Sequence, residues 1–175
     1  MILKNYVKII LHTYPFLKTV GQDYEEHIRN RALLSYDGRW TAEQTAEYLA
    51  TEILNMRRLE WLRVKIENML DKLTDVERGL TEIRYFGKGR KLKSFLQKQK
   101  NPLSKRAFTE RGYFRYQERL LDKISSLLIL DGVTEEVYRR ELASIDVIQK
   151  IAKTAERACA LQKRRGQVRV ESSVS

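Results

Sequence analysis

One cysteine, two histidines and two prolines are all that this chain of 175 residues holds of those three types. A lone Cys159 excludes an intramolecular disulfide framework and fits a reducing compartment. Its place on an apolar helix face reads as a small core residue. His12, His27 and Cys159 are the only soft metal ligands, and no two stand at a ligand-like spacing, so no metal is expected. The glycines form no phosphate-cradling loop: Gly87-Lys88-Gly89 lacks both the further glycine and the Ser or Thr after lysine. Glu43, Glu47 and Glu52 have no Glu-x-x-His partner, which excludes a di-iron bundle. No flanking motif supports a catalytic Ser/His/Asp or Cys/His set, so neither enzymatic chemistry nor a cofactor is expected. No run approaches about 18 apolar residues, and Met1-Ile2-Leu3-Lys4-Asn5 has none of the features of a signal peptide. The expectation is a cytoplasmic protein without membrane contact.

What is present is a helical pattern. Apolar content of 42%, with nine Tyr, five Phe and two Trp, suits a folded chain of one domain or two small ones. Leu3, Tyr6, Val7, Ile10, Leu11 and Tyr14 recur at steps of three and four, and Pro15 should end or kink that helix. A short helix over about 22–35 and a turn at Asp37-Gly38 follow. Thr41-Ala42-Glu43-Gln44 is a capping box opening the strongest helix, 41–72, with Leu49, Ile53, Met56, Leu59, Leu62, Ile66, Met69 and Leu73 on its apolar side. That helix is either the spine of a bundle or a coiled-coil seam. Trp40 and Trp61 read as core or interface anchors. A second capping box, Thr74-Asp75-Val76-Glu77, starts a helix closed by Gly87. Another short helix spans Lys91 to Lys100, with Leu92, Phe95 and Leu96 as anchors, and Asn101-Pro102 ends it. A further helix runs to Leu130; Ser104 and Thr109 are both eligible N-caps. Asp131-Gly132 is a turn, and a last helix should run from Thr134 to about Lys163, with Leu142, Ile145, Ile148, Ala152, Ala155 and Cys159 on one face. The fold class is all-α: a helical bundle with a long central helix and an embedded helix-turn-helix. The expected divisions are 1–72, 73–130, 131–165 and a disordered tail, 166–175.

Charge is distributed unevenly over this scaffold. Between Lys88 and Arg119 stand eleven cations and two acids, Glu110 and Glu118, a net +9 of the chain's +11. Residues 1–87 carry thirteen charges of each sign. The window is Lys88, Arg90, Lys91, Lys93, Lys98, Lys100, Lys105, Arg106, Arg111, Arg115 and Arg119. A folded chain that concentrates like charge this way calls for a polyanion, and a nucleic acid is the commonest one. The Lys163-Arg164-Arg165 cluster reads instead as a solvated helix end.

The order short helix, loop, short helix, turn, longer helix from Leu73 to Leu128 is the layout a helix-turn-helix reader requires. On the third helix Phe108, Gly112, Tyr116, Leu120, Ile124 and Leu127 fall on one line, expected to face the brace, with Gly112 allowing close helix approach. Lys105, Arg106, Thr109, Tyr113 and Arg115 are expected on the outward side, with Arg111 flanking. Cations and hydrogen-bonding groups thus occupy the amino-terminal part and apolar residues the remainder.

Leu73-Thr74-Asp75-Val76-Glu77-Arg78, with Leu80 and Ile83-Arg84-Tyr85-Phe86, resembles the opening helix of the sigma-70 region 4 type of helix-turn-helix. Thr109-Glu110-Arg111-Gly112-Tyr113-Phe114-Arg115-Tyr116-Gln117, leading to Leu120-Leu121-Asp122-Lys123-Ile124, is similar to the recognition helix of phage late-gene activators of the RinA and ArpU kind. The resemblance covers about residues 73–128. It implies a transcriptional regulator binding double-stranded DNA, with RNA polymerase as a further partner. The segment Lys88 to Phe108 is longer and more basic than the usual compact turn, and the chain continues for 45 residues beyond Leu130.

The candidate DNA-binding residues are therefore Lys88, Arg90, Lys91, Lys93, Lys105, Arg106, Thr109, Arg111, Tyr113, Arg115 and Arg119. If Thr109 is the cap, Glu110, Arg111, Tyr113, Phe114 and Arg115 enter the groove and Lys105 and Arg106 hold phosphates. If Ser104 is the cap, Lys105, Arg106 and Thr109 read bases. Helices 41–72 and 134–163 would brace the domain or join two copies as a homodimer. The alternative is a helical interaction or assembly protein whose basic segment binds an acidic protein surface or RNA.

Overall fold

A computed structural model describes residues 5–34, 40–87, 92–101 and 108–157, apart from the side chains of Leu34, Lys93 and Glu110. Every element among them is helical, and the fold is all-α. Helix α1 spans Asn5–Leu34 and α2 Ala42–Asp71; at about 1.5 Å per residue each is roughly 45 Å long. Short helices α3 (Asp75–Tyr85) and α4 (Leu92–Lys98) follow, then α5 (Glu110–Leu130). The chain continues through α6 (Glu135–Val137), a π-helical turn (Tyr138–Leu142) and a last helix, α7, over 146–157.

Local chemistry sets the starts of these helices. The Thr41 hydroxyl accepts the Gln44 N–H at 3.1 Å, and the Gln44 side chain accepts the Thr41 N–H at 3.0 Å. Thr74 and Glu77 make the same reciprocal pair at the head of α3. Each cap satisfies amide groups that a helix start leaves without partners, a contribution of about 1 kcal/mol. Gly87 (φ +77°) and Gly132 (φ +88°) take the left-handed backbone that closes α3 and the turn after α5.

Of the two outcomes expected at Pro15, the first helix overturns the ending. One continuous helix covers Asn5 to Leu34, with Pro15 inside it, in place of two segments meeting there. An internal proline costs about 3 kcal/mol. Buried residues on both sides offset it: Tyr6, Val7, Ile10 and Leu11 before, Leu17 after, with Val20 and Tyr24 partly buried beyond. Helices α1 and α2 form an antiparallel pair, as His27 against Tyr48 and Leu17 beside Leu59 require. The expected turn at Asp37-Gly38 lies outside the described residues. Leu59, Leu62, Ile66, Met69, Leu70 and Leu73 are buried within the chain, so α2 is the spine of the bundle.

The carboxyl-terminal region also departs from the expectation of one helix from Thr134 to Lys163. Ala143 donates its N–H to the Tyr138 carbonyl five residues back, and Ile145 to Leu142 three residues back. A wide turn followed by a tight one interrupts the helix before 146. The break leaves Tyr138, Leu142, Ile145 and Ile148 all in the core. Cys159, the 163–165 cluster and residues 166–175 lie outside the described residues.

One buried cluster joins these elements. Tyr6 of α1 stacks against Tyr138 with ring centroids 5.8 Å apart. Leu80 of α3, Ile124 and Leu128 of α5, and Leu142 and Ile148 share the same core. On the outer side of α3, Gly79 seats α4: a Cβ at that position would lie 2.6 Å from the Phe95 ring. No helix among the described residues is long and apolar enough to cross a membrane.

Candidate nucleic-acid interface

Helix α5 begins at Thr109, not Ser104. Thr109 is extended (φ −91°, ψ 158°), and its hydroxyl accepts the Gly112 N–H at 3.1 Å. Residue 112 cannot return a side-chain hydrogen bond as Gln44 and Glu77 do, so this cap is one-sided. Its smallness has another use. A Cβ there would stand 3.0 Å from the Thr109 hydroxyl and 3.3 Å from the amide of buried Asn101. Gly112 thus makes room for the cap and the preceding segment, and not for the close helix approach expected from the sequence.

The packed side of α5 is broader than the single line drawn from the sequence. Tyr116, Leu120 and Ile124 are buried as expected, Phe108 meets Tyr116 edge-on at 5.8 Å, and Leu121 and Leu128 are buried beside them. Burial, with the nearby Glu77 carboxylate adding to it, pushes the Tyr116 hydroxyl up to about 12. Lys123 Nζ donates to both carboxylate oxygens of Glu77, at 2.7 and 2.9 Å, tying α5 to the head of α3. Burial alone would raise the Glu77 carboxyl; the hydrogen bonds from Lys123 and from the Thr74 N–H outweigh it and hold it below its ordinary value.

Tyr113 corrects the expected outward face. It is only 4% exposed, packed with the core and away from solvent. A step of 200° from Arg111, at about 100° per residue, carries it across the helix. Its hydroxyl has no hydrogen-bond partner among the described residues. The outward position falls to Phe114, 52% exposed, whose ring touches Tyr113 at 5.4 Å. Thr109, Arg111, Phe114, Arg115 and Glu118 line one shallow surface hollow.

Arg111, Arg115 and Arg119 are exposed at four-residue spacing, on the face opposite the core. None makes an ion pair among the described residues, and Glu118 pairs with none of them. Lys98 and Lys100 are exposed as well. Lys88, Arg90, Lys91, Lys105 and Arg106 lie outside the described residues, as does the Lys93 side chain. The structure therefore brings together Thr109, Arg111, Arg115 and Arg119 from the candidate set and turns Tyr113 inward. The signal that could have separated Tyr113 from Phe114 is phase: residue 113 has buried Tyr116, Leu120 and Ile124 three, seven and eleven positions on, whereas Phe114 shares only the flank of that stripe with Leu121.

A second concavity, of about 520 Å³, lies where α1, the end of α3 and α7 meet, walled by His12, Phe16, Arg84, Phe86, Gly87 and Ile151. His12 is half-buried, its Nδ1 is 3.2 Å from the Tyr85 carbonyl, and burial holds its pKa below the usual imidazole value. At the tip of the α1–α2 pair Arg31 lies 4.1 Å over Trp40, and Trp40 meets Tyr48 edge-on. Among the described residues no three His, Cys, Asp or Glu side chains gather as metal ligands would. No protein-family model, curated protein or solved structure matches the chain.

Proposed function

We propose that the chain is a sequence-specific, double-stranded DNA-binding transcriptional regulator that places the first turns of α5 in the major groove. The observation that carries this reading is the row of guanidinium groups, Arg111, Arg115 and Arg119, without ion-pair partners among the described residues and on the exposed face of a helix whose other face is core. Four residues along a helix advance about 6 Å, close to two base-pair steps, so successive arginines can meet successive positions along a groove about 12 Å wide. Arginine suits the task because its planar fork makes paired hydrogen bonds to guanine O6 and N7 or to phosphate oxygens. Lys88, Arg90, Lys91, Lys93, Lys105 and Arg106 supply phosphate contacts in this reading, and Thr109 fixes the start of the reading helix. The likeness of residues 73–128 to sigma region 4 supports the same role and adds RNA polymerase as a partner.

Selection of bound duplexes from a random pool tests the proposal. A recurrent motif at physiological salt is expected, arranged as an inverted repeat one helical turn apart if two copies bind together. Enrichment of RNA hairpins, or of no nucleic acid at all, overturns it.

A further inference from the structure

We propose that Phe114 is a specificity residue that reads the C5-methyl group of a thymine beside the bases met by Arg111 and Arg115. The inference rests on the DNA-binding reading above and names what that surface selects. Phe114 is the large apolar side chain in the hollow shared by Thr109, Arg111, Arg115 and Glu118. With 52% of it exposed, and Tyr113 its ring neighbour at 5.4 Å, the core makes little use of it.

Its angular position is informative. At about 100° per residue Phe114 lies about 60° to one side of Arg111, and Arg115 about 40° to the other. Phe114 stands seven residues before buried Leu121, so it prolongs the flank of the apolar stripe into the region where the helix leaves the core. Half of its surface is exposed and no cation stacks on its ring among the described residues, nor does Arg111 or Arg115 beside it make an ion pair among them. Charge complementarity selects the occupant: the neighbouring cations draw a polyanion to this face, and an apolar patch within it is then set against the groove floor. In the major groove of duplex DNA the apolar feature on offer is the thymine methyl, and phenylalanine is among the side chains that meet it. In the minor groove, or on an A-form RNA duplex, the ring would find no such group.

The test uses the full chain and the duplex motif recovered by selection, with each thymine replaced in turn by deoxyuridine, which removes only the methyl. At one position wild type should lose about four-fold in affinity, the value of one buried methyl group. Phe114→Ala should bind the thymine site more weakly and lose nothing further with deoxyuridine. Phe114→Leu should restore part of the discrimination. Because the side chain is exposed, helicity and Tm should stay at wild-type values in both variants. If the duplex is bound but no thymine is sensitive, or Phe114→Ala is as sensitive as wild type, the methyl reading falls and the DNA-binding reading stands. Preference for single-stranded over duplex probes overturns it in favour of base stacking. No binding to any duplex removes both.

Discussion

Arg63 in α2 and Arg115 in α5 are arginines on helix surfaces with opposite surroundings. Arg63 is held by two carboxylates of its own helix, Glu60 and Glu67, each at 2.6 Å. Arg58 reaches Glu141 across helices, and Arg139 and Arg140 pair with Glu135 and Glu141. Arg111, Arg115 and Arg119 have no such partners among the described residues. A cation paired within the chain has spent its hydrogen-bond donors; an unpaired row keeps them available at the cost of mutual repulsion. The same contrast runs along α5. Its far half, from Leu120 to Leu128, supplies the core, while its first turns supply almost nothing to the core except Tyr113 and Tyr116.

If that division is real, the two halves should respond to different measurements. The largest effect is expected from Ile124→Ala, which empties a fully buried site and should cost about 2–5 kcal/mol in urea unfolding. Phe114→Ala, on the same helix, should change stability by less than about 0.5 kcal/mol. Next comes the charge reversal Arg111→Glu with Arg115→Glu. It should weaken duplex binding by roughly a hundred-fold or more, given about 1–3 kcal/mol for each paired contact, at unchanged helicity. Arg63→Glu is its converse, expected to cost under about 1 kcal/mol of stability and to leave duplex affinity alone. An equal loss of affinity from both reversals would erase the contrast between α2 and α5.

Much of this arrangement was legible in the sequence because it depends on neighbours a few residues apart. Both capping boxes, the glycines at 87 and 132, and the stripe from Leu59 to Leu73 are local signals of that kind. The helix does not end at Pro15 because the proline penalty is local, whereas its flanks are held by packing, Tyr14 against Phe86 and Leu17 beside Leu59 of α2. The break near Ala143 is likewise set by the core that Tyr138, Leu142, Ile145 and Ile148 share. At the candidate site, charge and spacing located the arginines. Assigning Tyr113 outward failed because a tyrosine suits either surface, so its residue type gave no warning; its alignment with Tyr116, Leu120 and Ile124 is the same whether Ser104 or Thr109 caps the helix.

Smaller effects sharpen the comparison further. Thr109→Ala and Thr41→Ala each remove a cap worth about 1 kcal/mol, so thermal unfolding should register similar losses. Only Thr109→Ala should also weaken DNA binding, because it frays the turn that carries Arg111. Equal binding by the two variants would mean that the head of α5 does not make the contact. The smallest effect is electrostatic. Glu77 has a lowered carboxyl pKa in the folded chain, so its pairing with Lys123 stabilises above the ordinary carboxylate range, near 4.3, and is lost as pH falls through the lowered value. Glu77→Gln should flatten the acid limb of the stability curve, while duplex binding at neutral pH stays unchanged.

The salt dependence of binding to a random-sequence duplex, followed by fluorescence anisotropy, tests most directly whether the arginine row of α5 serves a polyanion. Contact with about five phosphates gives a plot of log affinity against log salt with a slope near −4 to −5, and the Arg111→Glu, Arg115→Glu variant should give a shallower line. A slope near zero, or no binding at the lowest salt, would contradict the account.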